Sequence, residues 1–139
     1  MALFENSEIF EKILVGFFKE LVKNKDISKK LLDSKLIIRF NYSEPDLSIT
    51  VDCSVGDEIE ILVNDNTKKP EVEMWMKAEI AHKFWFGKVN LIAALTRKQM
   101  IAKGPIPKIL KLLPAIKPAY SMYPKYLNEN GFKEYNIYS

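Results

Sequence analysis

Four stretches in the middle of the chain alternate apolar and polar side chains with period two, and nothing else in the sequence narrows the fold as much. Leu36, Ile38, Phe40 and Tyr42 share one side of the first stretch. In the second, Leu47, Ile49, Val51 and Cys53 alternate with Ser48, Thr50, Asp52 and Ser54. Ile59, Ile61 and Val63 alternate with Glu58, Glu60 and Leu62, and Val72, Met74, Met76 and Ala78 with Glu73, Trp75 and Lys77. Successive side chains on a strand point to opposite faces, so each stretch predicts a strand with one covered and one wet face. Such strands belong to an antiparallel sheet packed on one side only. Short turns at Glu44-Pro45-Asp46 and Val55-Gly56-Asp57 make the first three a meander, whereas the connection from Asn64 to Pro70 is longer and polar.

Something must cover the apolar face, and the flanking segments have helical spacing. Over residues 7–22, Ile9, Phe10, Ile13, Leu14, Phe17, Phe18 and Leu21 form one broad stripe, with Asn6 or Ser7 as N-cap. A short helix over 26–33 follows, with Asp26 or Ser28 as its cap. Helical spacing returns from Ile80 to Thr96, with a break at Gly87, and Lys98–Lys103 reads as a fifth strand. The segment between strands four and five is long enough for a helical crossover, so these two are expected as parallel neighbours. After Gly104, Pro107 suits the first position of a helix whose apolar side is Ile109, Leu110, Leu112, Leu113 and Ile116, with Lys108 and Lys111 opposite. Pro114, Pro118 and Pro124 are expected to kink or end helices, because each lacks an N–H and clashes with the preceding turn. The reading is α+β: a five-stranded, mostly antiparallel sheet covered on one face by helices, in one domain over residues 1–139.

Charge is unevenly spread. Phe40 to Glu79 holds ten acidic and three basic residues, whereas Ile80 to Asn128 holds nine basic and no acidic ones. A basic half favours an anionic partner. Nucleic acid is set aside, because the aromatic and aliphatic residues of the basic half share segments with the lysines at the spacing of burial, not of a stacking platform. Groups suited to chemistry are scarce. His82 and Cys53 are the only histidine and cysteine. A lone pair of this kind makes no zinc cluster, and the predicted inward position of Cys53 suits an inert thiol. Asp52, Asp57, Glu58 and Glu60 read as the wet side and turns of strands, and Gly87-Lys88 lacks the upstream glycine of a phosphate loop. No enzyme, metal or cofactor is expected. Glu5, Glu8 and Glu11 interrupt the first segment, which argues against a signal peptide, and a single cysteine suits a reducing, cytoplasmic setting.

Between Phe84 and Gly104 the spacing of Gly87, Lys88, Asn90, Ala94 and Gly104 resembles the sterol carrier protein type-2, or nonspecific lipid-transfer, domain, and the resemblance covers about residues 34–115. Arg97-Lys98 stands where that family often has Gly-Lys, and Pro105 where it often has a polar residue. The resemblance implies an apolar tunnel between sheet and helices that takes a fatty acid, acyl-CoA, phospholipid or sterol. It implies binding and transfer or presentation of that lipid, with an accessory domain or small enzyme using a similar cavity as the alternative. The implied walls are Met74 and Met76 of strand four, Phe84, Trp85, Ile92 and Leu95 of the helical stretch, Met100 and Met122, and Ile109, Leu113 and Ile116 of the cover. A lipid and, transiently, an anionic membrane surface are the partners expected.

Overall fold

The computed structural model describes residues 3–139. Asn6 caps α1 (Ser7–Leu21), its side chain accepting from the Ile9 N–H at 2.9 Å, and the expected stripe is buried from Phe10 to Leu21. The second helix, α2 (Lys25–Ser34), is capped by Asn24, not by Asp26 or Ser28, because Asn24 is the residue still in extended geometry and its Oδ1 reaches the Ile27 N–H at 3.1 Å.

The strands are β1 (Ile37–Ser43), β2 (Leu47–Asp52), β3 (Glu60–Val63), β4 (Val72–Lys77) and β5 (Met100–Lys103), in the order β3-β2-β1-β4-β5. The meander is present, and its register keeps parity across the sheet: Ile38 lies between Val51 and Val72, and Tyr42 between Leu47 and Met76. The expected parallel pair of strands four and five is not formed. β4 and β5 are antiparallel, and β1 and β4 are the parallel pair. The helices α3 (Ala78–Trp85) and α4 (Leu91–Thr96) are therefore a long excursion between antiparallel neighbours.

The crossover is made instead by the polar connection after β3. To run parallel to β1, the chain must return across β2 and β1 before β4 begins, and it does so over the outer face. Arg39 fixes it there: its Nη2 donates to the Lys68 carbonyl at 2.6 Å and its Nε to Thr50 Oγ1 at 3.0 Å. Lys68 Nζ lies 3.0 Å from Asp52 Oδ2, and Asp52 Oδ1 accepts from the Ser54 N–H and hydroxyl at 2.8 and 2.6 Å. Thr50 and Asp52, expected on a wet face, are thus fully buried. Burial pushes the Asp52 carboxyl up, but the Ser54 bonds and the Lys68 ammonium outweigh it and hold the pKa below the ordinary aspartate value.

The inner face is covered by α1 against β2 and β3, α3 against β1 and β4, and α5 (Ile106–Ile116) against α2. The last helix, α6 (Ala119–Glu129), packs on α1 and α3. Of the three prolines, only Pro118 separates helices; Pro114 lies inside α5 and Pro124 inside α6. Each removes one backbone bond from its helix, so packing and not the helix ladder must hold these segments. Gly104 closes β5 at φ +116°, where an added Cβ would run into the Glu71 carbonyl oxygen. Only glycine allows the end of β5 to lie this close to the start of β4.

Candidate functional site

Between the sheet and the helices lies a cavity of about 100 Å³. Every strand and the first five helices contribute to it. Phe18, Leu21 and Val22 come from the end of α1 and its cap, Leu31 from α2, and Ile38, Phe40 and Tyr42 from β1. Val51, Ile61, Met74, Met76 and Met100 complete the sheet side. Ala81, Phe84 and Trp85 of α3 and Leu91 of α4 form one flank, and Ile109, Leu112, Leu113 and Ile116 of α5 form the roof. No charged side chain lines it. The geometry follows from strand parity: one inward row per strand, each continuing its neighbour's row across the register. Trp85 is wedged edge-on against Phe17 and Phe18, with ring centroids 5.4 and 5.5 Å away, so this wall is rigid. The roof is not. Of α5 only Ile109 and Ala115 are fully buried, and Pro114 interrupts its bonding.

The groups best suited to acid–base or nucleophilic chemistry lie outside this cavity and are committed to packing. His82 is fully buried. Its Nε2 lies 2.8 Å from the Tyr135 carbonyl, which can only accept, so Nε2 carries the proton and Nδ1 accepts from the Tyr123 hydroxyl at 2.7 Å. Burial pushes its pKa down to about 4 and the ring is neutral. Burial, with the Asp52 charge nearby, pushes the Cys53 thiol up to about 12. Among the described residues no group of three or more His, Cys, Asp or Glu is placed to hold a metal ion, and no helix is long and apolar enough to cross a membrane.

A layered α+β fold with an uncharged internal cavity is what the sequence resemblance implied. The family model described as the SCP-2 sterol transfer family matches residues 18–117. The chain belongs to the SCP-2 family. No curated protein sequence matches it. Among solved structures it is similar to sterol carrier protein 2 from Yarrowia lipolytica in its apo form, at 16% identity and TM-score 0.54, over 90% of this chain and 91% of that one. The sterol carrier protein domain 2 of Helicoverpa armigera has 16% identity and TM-score 0.58, over 82% and 84%. The inverting sec-alkylsulfatase Pisa1 from a Pseudomonas species matches at 11% identity and TM-score 0.54, over 63% of this chain but only 14% of the enzyme. At these identities the structures show the shared SCP-2 fold.

Within that fold the sequence-predicted wall residues divide. Met74, Met76, Phe84, Trp85, Met100, Ile109, Leu113 and Ile116 line the cavity. Ile92, Leu95 and Met122 do not. α4 is a helix of only six residues whose inward positions are Leu91 and Ala94, which leaves Ile92 63% exposed and Leu95 half-buried at the core's edge. Met122 lies on α6, which turns Tyr123, Tyr126 and Leu127 inward, away from the cavity. The residues missed were those of α1, α2, β1, β2 and β3, together with Ala81, Leu91 and Leu112 of α3, α4 and α5. The signal for the strand residues was the parity already read for Met74 and Met76, carried across the sheet.

Proposed function

We propose that this SCP-2 chain is a non-catalytic cytoplasmic lipid carrier that holds an alkyl or ring system in the cavity beneath α5 and exchanges it with membranes. The observation that carries the reading is a cavity walled by apolar side chains from ten elements in a family described by sterol transfer. Burial of a methylene gains ~0.8 kcal/mol, so a sixteen-carbon tail has on the order of 12 kcal/mol available before association and ordering costs. Affinity therefore needs no reactive group.

The volume sets a condition. About 100 Å³ is less than the roughly 150 Å³ of an engineered cavity that takes up benzene. A lipid tail enters only if a wall moves outward, and α5 has only two buried residues, Ile109 and Ala115, in eleven. Lys108 and Lys111 of α5 and its C-cap Lys117 are exposed, while Ile109, Leu112, Leu113 and Ile116 face the cavity. An anionic leaflet attracts the lysines, and contact there would loosen the roof where the tail must pass.

Titration of the delipidated protein with a fluorescent fatty-acid analogue tests the reading. One saturable site per chain is expected, and a folded protein without saturable binding would refute it. Mass spectrometry of solvent extracts names the natural occupant. A second reading, a lipid-presenting partner of a separate enzyme, draws on the sulfatase match, in which this fold corresponds to one part of a much larger enzyme. Co-purification with a hydrolase acting on a long-chain substrate would favour it.

A further inference from the structure

Both outer strands of the sheet are open. β3 and β5 form its edges, and among the described residues none of their backbone groups bonds outside the sheet ladder. An open edge is a template for a further strand. The two edges carry opposite charge. Glu58 and Glu60 are exposed at the start of β3, whereas exposed Arg97, Lys98 and Lys103 stand at the ends of β5. The outer face beside β5 is also apolar: Trp75 of β4 and Ile101 of β5 are register partners, 36% and 55% exposed.

Parity decides what each edge presents. On β5, Met100 is buried and Ala102 packs on the core, so Ile101 and Lys103 point outward. On β3, Ile61 and Val63 pack on the core, while Glu60 and Leu62 stand in register with Asp52 and Thr50 on the outer face. One antiparallel register of β5 against β3 of a second copy satisfies every position. Lys103 meets Glu60 and Ile101 meets Leu62 on the outer face; Ala102 meets Ile61 and Met100 meets Val63 on the inner one. The helical layers of both copies then lie on the same side of the joined sheet. Pairing like edges fails on charge. β5 against β5 crowds Arg97, Lys98 and Lys103 of two copies, and β3 against β3 crowds Glu58 and Glu60.

We propose that this chain associates with itself head to tail, β5 of one copy adding to β3 of the next and continuing the sheet. The uneven charge of the sequence is then complementary between copies, the basic segment of one facing the acidic segment of its neighbour. Each added copy leaves one free edge of either kind, so growth is open-ended and does not stop at a dimer. β5 has four residues between Lys98 and Gly104, both at positive φ, which makes the seam short. A seam of that size gives weak, reversible and salt-sensitive association. The proposal is independent of what the cavity holds.

Sedimentation velocity over a concentration series, at low and high salt, tests it. At low salt the wild type should pass from monomer to a series of growing oligomers, and high salt should reverse this. Lys103→Glu sets like charge against Glu60 of the next copy, and Glu60→Lys does so against Lys103. Each variant alone should associate about tenfold more weakly, and an equimolar mixture of the two should regain wild-type association, because their reversed edges match. Both positions have a charged neighbour in their own chain, Glu73 beside Lys103 and Lys68 near Glu60, so circular dichroism checks that the variants fold. A second measurement leaves those charges in place. A chain with both Ile101→Cys and Leu62→Cys should be linked by diamide into a ladder of oligomers, whereas either substitution alone stops at a dimer; buried Cys53 does not compete. A wild type that stays monomeric, leaving the edges to an acidic peptide or an anionic leaflet, would overturn the proposal. So would a species that stops at a dimer, charge variants that associate as well as wild type, a mixture that regains nothing, or a doubly substituted chain that forms no ladder.

Discussion

Replacing Met76 by arginine tests the facing of β4 and the apolar character of the cavity together. Met76 is 8% exposed, pairs in register with Tyr42 on one side and Met100 on the other, and all three line the cavity. Arginine cannot shed its proton within a protein, so it cannot escape burial by neutralising. No carboxylate lines the cavity to receive it. An uncompensated buried charge costs about 4 kcal/mol, a large part of the 5–15 kcal/mol that stabilises a typical domain. With a urea dependence of about 2 kcal/mol per molar, the unfolding midpoint should fall by about 2 M. The control is Glu73→Arg on the outer face of the same strand. Glu73 is half-buried, accepts from Asn41 Nδ2 at 3.1 Å, and stands in register between Arg39 and Lys103. Reversing it places three cations in a row and loses one hydrogen bond, which costs about 1 kcal/mol and shifts the midpoint by about 0.5 M. Urea unfolding followed by tryptophan fluorescence and circular dichroism measures both, and titration with the fluorescent fatty-acid analogue measures the cavity. Equal midpoints for the two variants would refute the inward assignment of Met76.

Three further outcomes are expected. Lipid transfer should be faster to anionic than to neutral vesicles at low salt, and Lys108→Glu with Lys111→Glu should slow it about tenfold while leaving soluble-ligand binding unchanged; equal stopped-flow rates would remove the docking role of α5. His82 has its pKa lowered from the ordinary value of 6.5 to about 4, so between these values the unfolded chain binds a proton that the folded chain does not. Its contribution is present above about 6.5 and is lost as pH falls toward 4, by about 3 kcal/mol in all, and His82→Gln should flatten that part of the stability profile in urea titrations. Gly104→Ala should destabilise the fold by about 2 kcal/mol or more, because its Cβ meets backbone oxygen, and a midpoint equal to wild type would show that β5 can shift.

The sequence carried the faces of the strands better than their neighbours. Alternation at Met74 and Met76 tells which side of β4 is covered, and that side does line the cavity. It carries no information on which strand lies alongside, so the parallel partner of β4 could not be read from it. The crossover loop shows the same limit. Arg39, Asp52 and Lys68 look like surface charges in sequence, and only the return path over β1 and β2 brings them together. Helical spacing had a different failing. In α4 one turn offers two inward positions, and a reading of Ile92 and Leu95 differs from Leu91 and Ala94 by a single residue of phase.

The strap of residues 64–71 has a topological consequence. Asn66 and Thr67 are exposed at its crest. A chain cut between them would leave one piece with α1, α2 and the β3-β2-β1 meander, and another with β4, β5 and the remaining helices. The seam between the pieces is the parallel joint of β1 and β4, and the cavity lies across it: Phe18, Ile38 and Tyr42 belong to one half, Met74, Trp85 and Ile109 to the other. Any occupant therefore touches both halves and acts as a third fastener beside the strap and the seam, so that loading and unloading the cavity would tighten and relax the molecule along that line.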